Sequence, residues 1–390
     1  MKNVAIVTAT RAEYGLLHNL IKLVEGDYEL KLQLFVTGAH LLKSQGNTLQ
    51  QIEQQFTITE KIPILKEGQN TDLDIALATS NALSGFAEVF TKYKPDILVV
   101  LGDRYELLGI CSAALLTHIP IAHIHGGEIT AGAMDDAIRH SVTKLANLHF
   151  VASEEYENRV LQMGEQKNSV FNVGAIGLDI VNTTNYLSKE QLEEMLDIQL
   201  QGKLVLVTYH PVSWGSTMGK IVLNKIFNAV KKIKNVTVIW TASNTDSSGG
   251  TLNKTIKKWA EQQNNVHYIE SLGSQKYLSM LKIADLVLGN SSSGIIEAPA
   301  FGLPTVNIGE RQSGRLRASS IIDCGETEVA IEKAITKAFS NKFKQQASQV
   351  KSLYGKGDTP SKIIKEIKLF LGSDKNLVSK AFNDLSCSKV

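Results

Sequence analysis

A chain of 390 residues with 43% hydrophobic content exceeds what one hydrophobic core normally holds, so two domains are expected. Its 41 basic and 39 acidic residues are interspersed and leave a net charge of +2, which argues against a broad electrostatic footprint for nucleic acid or an acidic membrane surface. Three distant cysteines (Cys111, Cys324, Cys387), no CxxC pair, no secretory leader and no run near the ~18 apolar residues of a membrane span fit a protein of the reducing cytoplasm.

Short apolar, β-branched runs recur with helix-length segments between them: Val4–Val7, Leu32–Val36, Ile97–Leu101, Ile119–Ile124 and Leu148–Ala152. The pattern restarts at Leu204–Tyr209, Val236–Trp240, Val266–Ile269, Leu286–Gly289 and Thr305–Ile308. Such alternation predicts two α/β domains in series, each a parallel sheet covered by helices on both faces. The glycines and polar residues of Gly177–Asn185 place a hinge there. The expected domains are therefore 1–180 and 181–371, with a polar tail at 372–390. Thr359, Pro360 and Gly372 bracket a last helix as N-cap, first helical residue and C-terminal stop.

In open α/β sheets ligands gather at the carboxyl ends of strands, and the unusual residues sit there. After the first strand comes "TRAEYG", whose Arg11 would grip a phosphate at a helix N-terminus or lie as an ordinary surface arginine. No G-x-G-x-x-G or Walker A sequence is present, so nicotinamide cofactors and ATP lose ground. "LVVLGDRYE" puts Asp103 and Arg104 at a strand tip, as an acid/base group beside a cation, or as a helix cap.

"HIHGGEITAGAMDDAIRH" crowds three histidines and three carboxylates around Gly126 and Gly127, which would let backbone approach a ligand. A helix starting near Ala133 would show Asp135, Arg139 and His140 on roughly one side. His123 and His125 need a third ligand to hold zinc, and no H-E-x-x-H spacing exists, so proton transfer suits the cluster better than a metal. A buried hydrogen-bonded polar cluster is the alternative.

In the second half His210 follows a strand, and Asn244 and Asp246 occupy a glycine-rich turn. "LGNSSSGIIEAPAFGLP" places Ser291, Ser292 and Gly294 at a predicted helix start with Glu297 one turn in, a fit for a pyrophosphate and a ribose diol. Arg311 and Arg315 in "GERQSGR" are cations that could reach the same phosphates.

The ordered motifs "RAEYG", "LGDRYE", "HIHGGE", "DDAIRHSVTKLA", "HPV", "GNSSSGIIEAPAFGLPTVNIGERQSGR" and "YGKGDTPSKI" resemble the hydrolysing UDP-N-acetylglucosamine 2-epimerases of sialic and nonulosonic acid biosynthesis, over about residues 1 to 371. The resemblance implies a GT-B fold: two Rossmann-like domains, a cleft between them, and a C-terminal helix crossing back to the first. It implies a UDP-sugar substrate, no cofactor, no metal, no nucleic-acid or membrane partner, and a homodimer or homotetramer.

By the same resemblance Ser291, Ser292 and Gly294 hold the pyrophosphate and Glu297 the ribose. His210, Asn244 and Arg311 lie near the phosphates, and Arg11, Arg104 and Arg139 contact the ligand from the first domain. The implied chemistry eliminates UDP across carbons 1 and 2 to a glycal, then adds water with inversion at carbon 2. Asp103, His125, Glu128 and Asp135 would handle protons and His210 the leaving group. Many relatives carry glutamate where this chain has His125, which marks that position as a stand-in base or as an orienting group.

The expected reaction is UDP-N-acetylglucosamine and water to N-acetylmannosamine and UDP. The alternatives are the same reaction on UDP-2,4-diacetamido-2,4,6-trideoxyglucose, and a GT-B glycosyltransferase or a sugar-nucleotide sensor on the same fold.

Overall fold

The computed structural model describes residues 1–390 apart from 46–47, 70, 131–133, 211–215, 243–248, 374–377 and 385–390. The chain forms two compact units, Met1–Ile180 with Tyr354–Val390, and Val181–Leu353.

The first unit holds strands β1 (Lys2–Thr8), β2 (Leu30–Thr37), β3 (Ile58–Ile62), β4 (Ile97–Leu101), β5 (Ile121–Ile124), β6 (Leu148–Val151) and β7 (Val170–Asn172). They form one parallel sheet in the order β3-β2-β1-β4-β5-β6-β7. Both faces are covered, which is why the central strands are apolar without interruption. In β4, Ile97, Val99 and Leu101 join the core on one face while Leu98 and Val100 join the core on the other. A period-2 backbone does this to any all-apolar strand between two helical layers.

The second unit repeats the plan with β8 (Lys203–Thr208), β9 (Val236–Thr241), β10 (Val266–Ile269), β11 (Leu286–Gly289), β12 (Thr305–Ile308) and β13 (Ile321–Cys324). Their order is β10-β9-β8-β11-β12-β13, again all parallel. Its core centres on Trp240, fully buried, with Phe227 and Trp259 stacked at 4.0 Å. Two doubly wound sheets in succession are the GT-B plan that the sequence led us to expect.

Four features refine or depart from the sequence reading. The predicted hinge segment carries a helix, Gly177–Thr183, and the units divide within it. The last helix, Thr359–Leu371, falls inside the expected bounds 181–371 but packs with the first unit, as the expected crossing back of a C-terminal helix requires: Ile363, Ile364, Ile367 and Leu371 bury on the face that helix Arg11–Glu25 also covers. Thr359 does not cap that helix with its side chain, because its hydroxyl donates to Val173 O at 2.9 Å and the helix begins with Thr359 itself. Finally, the described part of the tail is docked: Asn383 N donates to Gly164 O at 2.9 Å. No helix among the described residues is long and apolar enough to cross a membrane.

In each sheet one pair of adjacent strands, β1/β4 and β8/β11, sends its following connections in opposite directions along the sheet. Gly289 ends β11 at φ 135°, and a Cβ there would collide with the carbonyl of Thr208 on β8. Neither backbone can give way without breaking the ladder. Gly289→Ala is therefore expected to destabilise the second unit by about 3 kcal/mol or more, read by denaturant unfolding.

Candidate active site

In the first unit the strand tips at the switch point carry charge. Helix Arg11–Glu25 starts with Thr10 as N-cap, accepting from Glu13 N at 3.4 Å, and Arg11, its first residue, is exposed. Glu13 turns inward, only 6% exposed, and accepts from Ala9 N at 2.6 Å. Burial, against the pull of that hydrogen bond and with the Glu106 charge nearby, pushes its pKa up to about 8. Arg104 follows β4 and turns back, its Nε 2.8 Å from Oε1 of the fully buried Glu106. Sequence reading had assigned no role to Glu13 or Glu106. The only signal available was a glutamate two residues inside a helix start, a position usually explained by the helix dipole.

Asp103 is paired with Arg139. Helix Met134–Leu145 buries Ile138, Arg139, Val142 and Thr143, which brings the guanidinium under the β4 tip. Arg139 Nη2 bonds Asp103 Oδ2, and Nη1 donates to Thr130 Oγ1 at 3.2 Å. The arginine is 3% exposed while the Asp103 side chain keeps 24%. Arg139 therefore holds the carboxylate instead of reaching outward as a ligand contact. Asp135 lies in the first turn of the same helix, partly buried, and its neighbour Asp136 accepts from Thr130 N at 3.0 Å and faces His140. His140 consequently stands apart from the Asp103 pair. The expected helix start at Ala133 lies outside the described residues, and the helix runs from Met134.

His123 is wholly buried, with Nε2 2.7 Å from Gly102 O and Nδ1 3.1 Å from Thr143 Oγ1. Burial lowers its pKa to about 3, so the ring is neutral and its Nε2–H donates to the carbonyl. It fixes the backbone next to Asp103.

His125 has φ 66°, a left-handed conformation unusual for histidine, which turns its ring towards residue 176. Ile176 N donates to Nε2 at 3.2 Å, so in the neutral ring the proton sits on Nδ1. Nδ1 faces Glu128 Oε1 at 3.2 Å, and Glu128 is 2% exposed. Nε2 is thus committed to the backbone, and Nδ1 lies beside a carboxylate. The two glycines do not open space for a ligand as expected: a Cβ on Gly127 would lie 2.5 Å from Tyr156 O, and one on Gly126 would lie 3.0 Å from Thr143 Oγ1. Protein fills the room they leave.

In the second unit the ends of β8 and β11 are tied together by Asn290, fully buried and overlooked in the sequence. Its Oδ1 accepts from His210 N and its Nδ2 donates to His210 O, both at 2.7 Å. Arg311 Nη1 and Gln312 Nε2 donate to Asn290 O at 3.0 and 2.8 Å. His210 is buried and near Arg311, and these lower its pKa to about 4, so it is neutral near pH 7.

The predicted helix after the serines is one turn only, Ser293–Ile296, followed by a 3-10 turn Ala298–Phe301. A macrodipole scarcely develops over four residues. Ser291 Oγ accepts from Ser293 N at 3.4 Å, Ser292 precedes the turn, and Glu297 follows it, partly buried. Gly294 packs on β12, where a Cβ would meet Thr305 Cγ2 at 3.0 Å. Asn244 lies outside the described residues.

The Glu13 carboxyl generates a pH dependence. Its pKa is 4.5 when unfolded and about 8 when folded. Between those values the unfolded chain gives up a proton that the native chain keeps, so this group lowers stability as pH rises through that window. Glu13→Gln is expected to match the parent melting temperature near pH 5 and to exceed it by several degrees at pH 8, measured by thermal unfolding across pH.

A family model described as UDP-N-acetylglucosamine 2-epimerase matches residues 22–368. The chain is 41% identical over 385 residues to the GDP/UDP-N,N'-diacetylbacillosamine 2-epimerase (hydrolyzing) of Campylobacter jejuni, covering 98% of this chain and 99% of that one. It is 35% identical over 370 residues to the UDP-N,N'-diacetylbacillosamine 2-epimerase (hydrolyzing) of Legionella pneumophila, covering 94% and 96%. Among solved structures, the UDP-GlcNAc 2-epimerase of Methanocaldococcus jannaschii in complex with UDP-GlcNAc and UDP aligns with TM-score 0.79 at 18% identity over 94% of this chain and 99% of that one, which shows the shared fold. The chain belongs to the UDP-N-acetylglucosamine 2-epimerase family.

Proposed function

We propose that this chain is a hydrolysing 2-epimerase of UDP-N,N'-diacetylbacillosamine, which is UDP-2,4-diacetamido-2,4,6-trideoxyglucose. The similarity along nearly the whole chain to the Campylobacter and Legionella enzymes carries this reading. It reverses the order given by the motifs alone, which put UDP-N-acetylglucosamine first. The diacetamido sugar differs by one oxygen at carbon 6 and one acetamido group at carbon 4, so both substrates present the same reacting carbons.

In the elimination, a base takes the proton from carbon 2, its electron pair forms the C1–C2 double bond, and the C1–O bond breaks with its electrons leaving on UDP. Water then adds its hydroxyl to carbon 1, and an acid returns a proton to carbon 2 on the opposite face. The sum is the mannose-configured free sugar plus UDP. Two carboxylates with different surroundings suit two opposite proton transfers. Asp103, partly open and clamped by Arg139, is the base we favour; Glu128, nearly buried and faced by His125, is the acid. Their protonation is coupled through the substrate, so they act as a pair. Asp135 supports the same group.

His125 is a positioning residue in this reading, because Ile176 N–H occupies the nitrogen that would otherwise exchange protons. Arg139 likewise positions Asp103. The diphosphate falls to the second unit: His210 donates a ring hydrogen bond as a neutral imidazole, and Arg311, Ser291 and Ser292 add charge and donors. Glu297 takes the ribose hydroxyls.

Incubation with UDP-N,N'-diacetylbacillosamine, its GDP counterpart and UDP-N-acetylglucosamine in deuterated water tests the proposal. The expected result is nucleotide release from a diacetamido substrate without any acceptor, with one deuterium at carbon 2 of the free sugar, at least about tenfold faster than from UDP-N-acetylglucosamine. Faster turnover of the latter would restore the original order. Release that needs an added acceptor would point to a glycosyltransferase, and no release from any of the three would overturn the reaction.

A further inference from the structure

The segment Val378–Asp384 of the polar tail is held on the first unit by several hydrogen bonds. Asn147 Nδ2 donates to Val378 O at 3.2 Å, and Gln166 Nε2 to Ala381 O at 3.4 Å. Asn383 N donates to Gly164 O at 2.9 Å, and Lys380 Nζ to Ala146 O and Glu165 Oε2, both at 2.8 Å. Phe382 lies against Gly164, where any Cβ would run into its ring, so the glycine is matched to the segment that crosses it.

Lys380 completes a cage. Glu165 is 2% exposed and is reached by His149 Nε2 at 3.0 Å, Lys144 Nζ at 2.5 Å and Lys380 Nζ at 2.8 Å. A carboxylate only accepts, so the neutral His149 donates through Nε2–H. Burial alone would raise the Glu165 pKa, but hydrogen bonds from His149, Lys144 and Lys380 bring it down to about 2. An ionised carboxylate with three donors is a rigid anchor.

The anchor connects to the reacting groups. Lys144 is in the last turn of helix Met134–Leu145, where its Nζ also donates to Met163 O at 3.0 Å. The preceding residue, Thr143, meets His123, which bonds Gly102 O beside Asp103, and Arg139 on the same helix grips the Asp103 carboxylate. His149 pairs with His123 across β5 and β6. We propose that Lys380 is a positioning residue: by closing the cage around Glu165, the C-terminal segment fixes helix Met134–Leu145 and thereby the Arg139–Asp103 pair. The proposal rests on the 2-epimerase reading only for the step that Asp103 performs. Displacements near 1 Å in reacting groups cost large factors in rate, so a strap far from the chemistry acts on kcat and hardly on substrate affinity.

The test compares the full chain with Lys380→Gln and Lys380→Arg in nucleotide release, alongside amide hydrogen exchange of residues 134–145. Lys380→Gln is expected to lower kcat roughly tenfold with KM within about twofold, Lys380→Arg to recover most of the loss, and the helix amides to exchange faster only in the glutamine variant. Unchanged kcat and unchanged exchange in Lys380→Gln would overturn the strap. A parent chain that releases no nucleotide fails the 2-epimerase reading instead, and exchange alone then decides the strap: faster exchange supports it, equal exchange overturns it. Should Lys380→Gln not fold, a chain ending at Ser373 with the peptide 374–390 added in trans takes its place. Restored helix protection supports the proposal and none overturns it.

Discussion

A parallel sheet whose connections run both ways has one pair of strands where the covering loops part, and each unit of this chain puts its unusual chemistry there. β1 and β4 end in Arg11, Glu13, Asp103 and Arg104; β8 and β11 end in His210, Asn290 and the serines. The geometry follows from strand order alone, because only at the switch point do two loops leave in opposite directions and expose the strand tips between them. Close backbone contact across β8 and β11 is the condition for it, enforced by Gly289 and by the reciprocal amide bonds of Asn290 to His210.

Around those tips, charge is managed by pairing. Asp103 keeps some exposure but is fastened from below by a nearly buried arginine, and Glu128 is nearly buried beside a histidine whose tautomer a backbone N–H dictates. Isolated charges would be costly at this depth, so each has a partner, Arg139 for Asp103 and His125 for Glu128. The buried histidines 123 and 210 are kept neutral by desolvation, and His123 donates from Nε2 to Gly102 O. One carboxylate is open and one closed, each beside a different nitrogen base, an asymmetry that suits the proposed removal and return of a proton at one carbon.

The sheets were legible because buried parallel strands are apolar throughout, and all ten runs read from the sequence are strands. The three strands missed, β3, β7 and β13, are sheet edges: "ITEKI" alternates with charge, "VFN" spans three residues, and "IIDC" ends in an aspartate. An edge strand has a solvated side and needs no continuous apolar run. The positions of Asp103, His125, Glu128 and His210 at strand ends could be read, but their partners could not. Arg139 looked like a ligand contact because helix spacing shows which residues share a side without showing what that side covers. Gly126 and Gly127 looked like ligand space, whereas helix and sheet atoms of the same unit fill it. The helix after Ser292 is shorter than its start signals suggest: it ends at Ile296, and Pro299 opens a separate 3-10 turn that Gly302 terminates.

In the proposed reaction, position 125 orients Glu128 and does no proton chemistry of its own. His125→Asn and His125→Glu test it directly in nucleotide release from the diacetamido substrate. Asparagine tolerates the left-handed backbone and keeps an N–H donor towards Glu128, whereas glutamate supplies a carboxylate that could transfer protons but sets a second negative charge beside it. If orientation is the role, asparagine keeps activity within about tenfold of the parent and glutamate falls by about a hundredfold or more. Activity retained by glutamate and lost by asparagine would contradict it and make residue 125 a proton-transfer group.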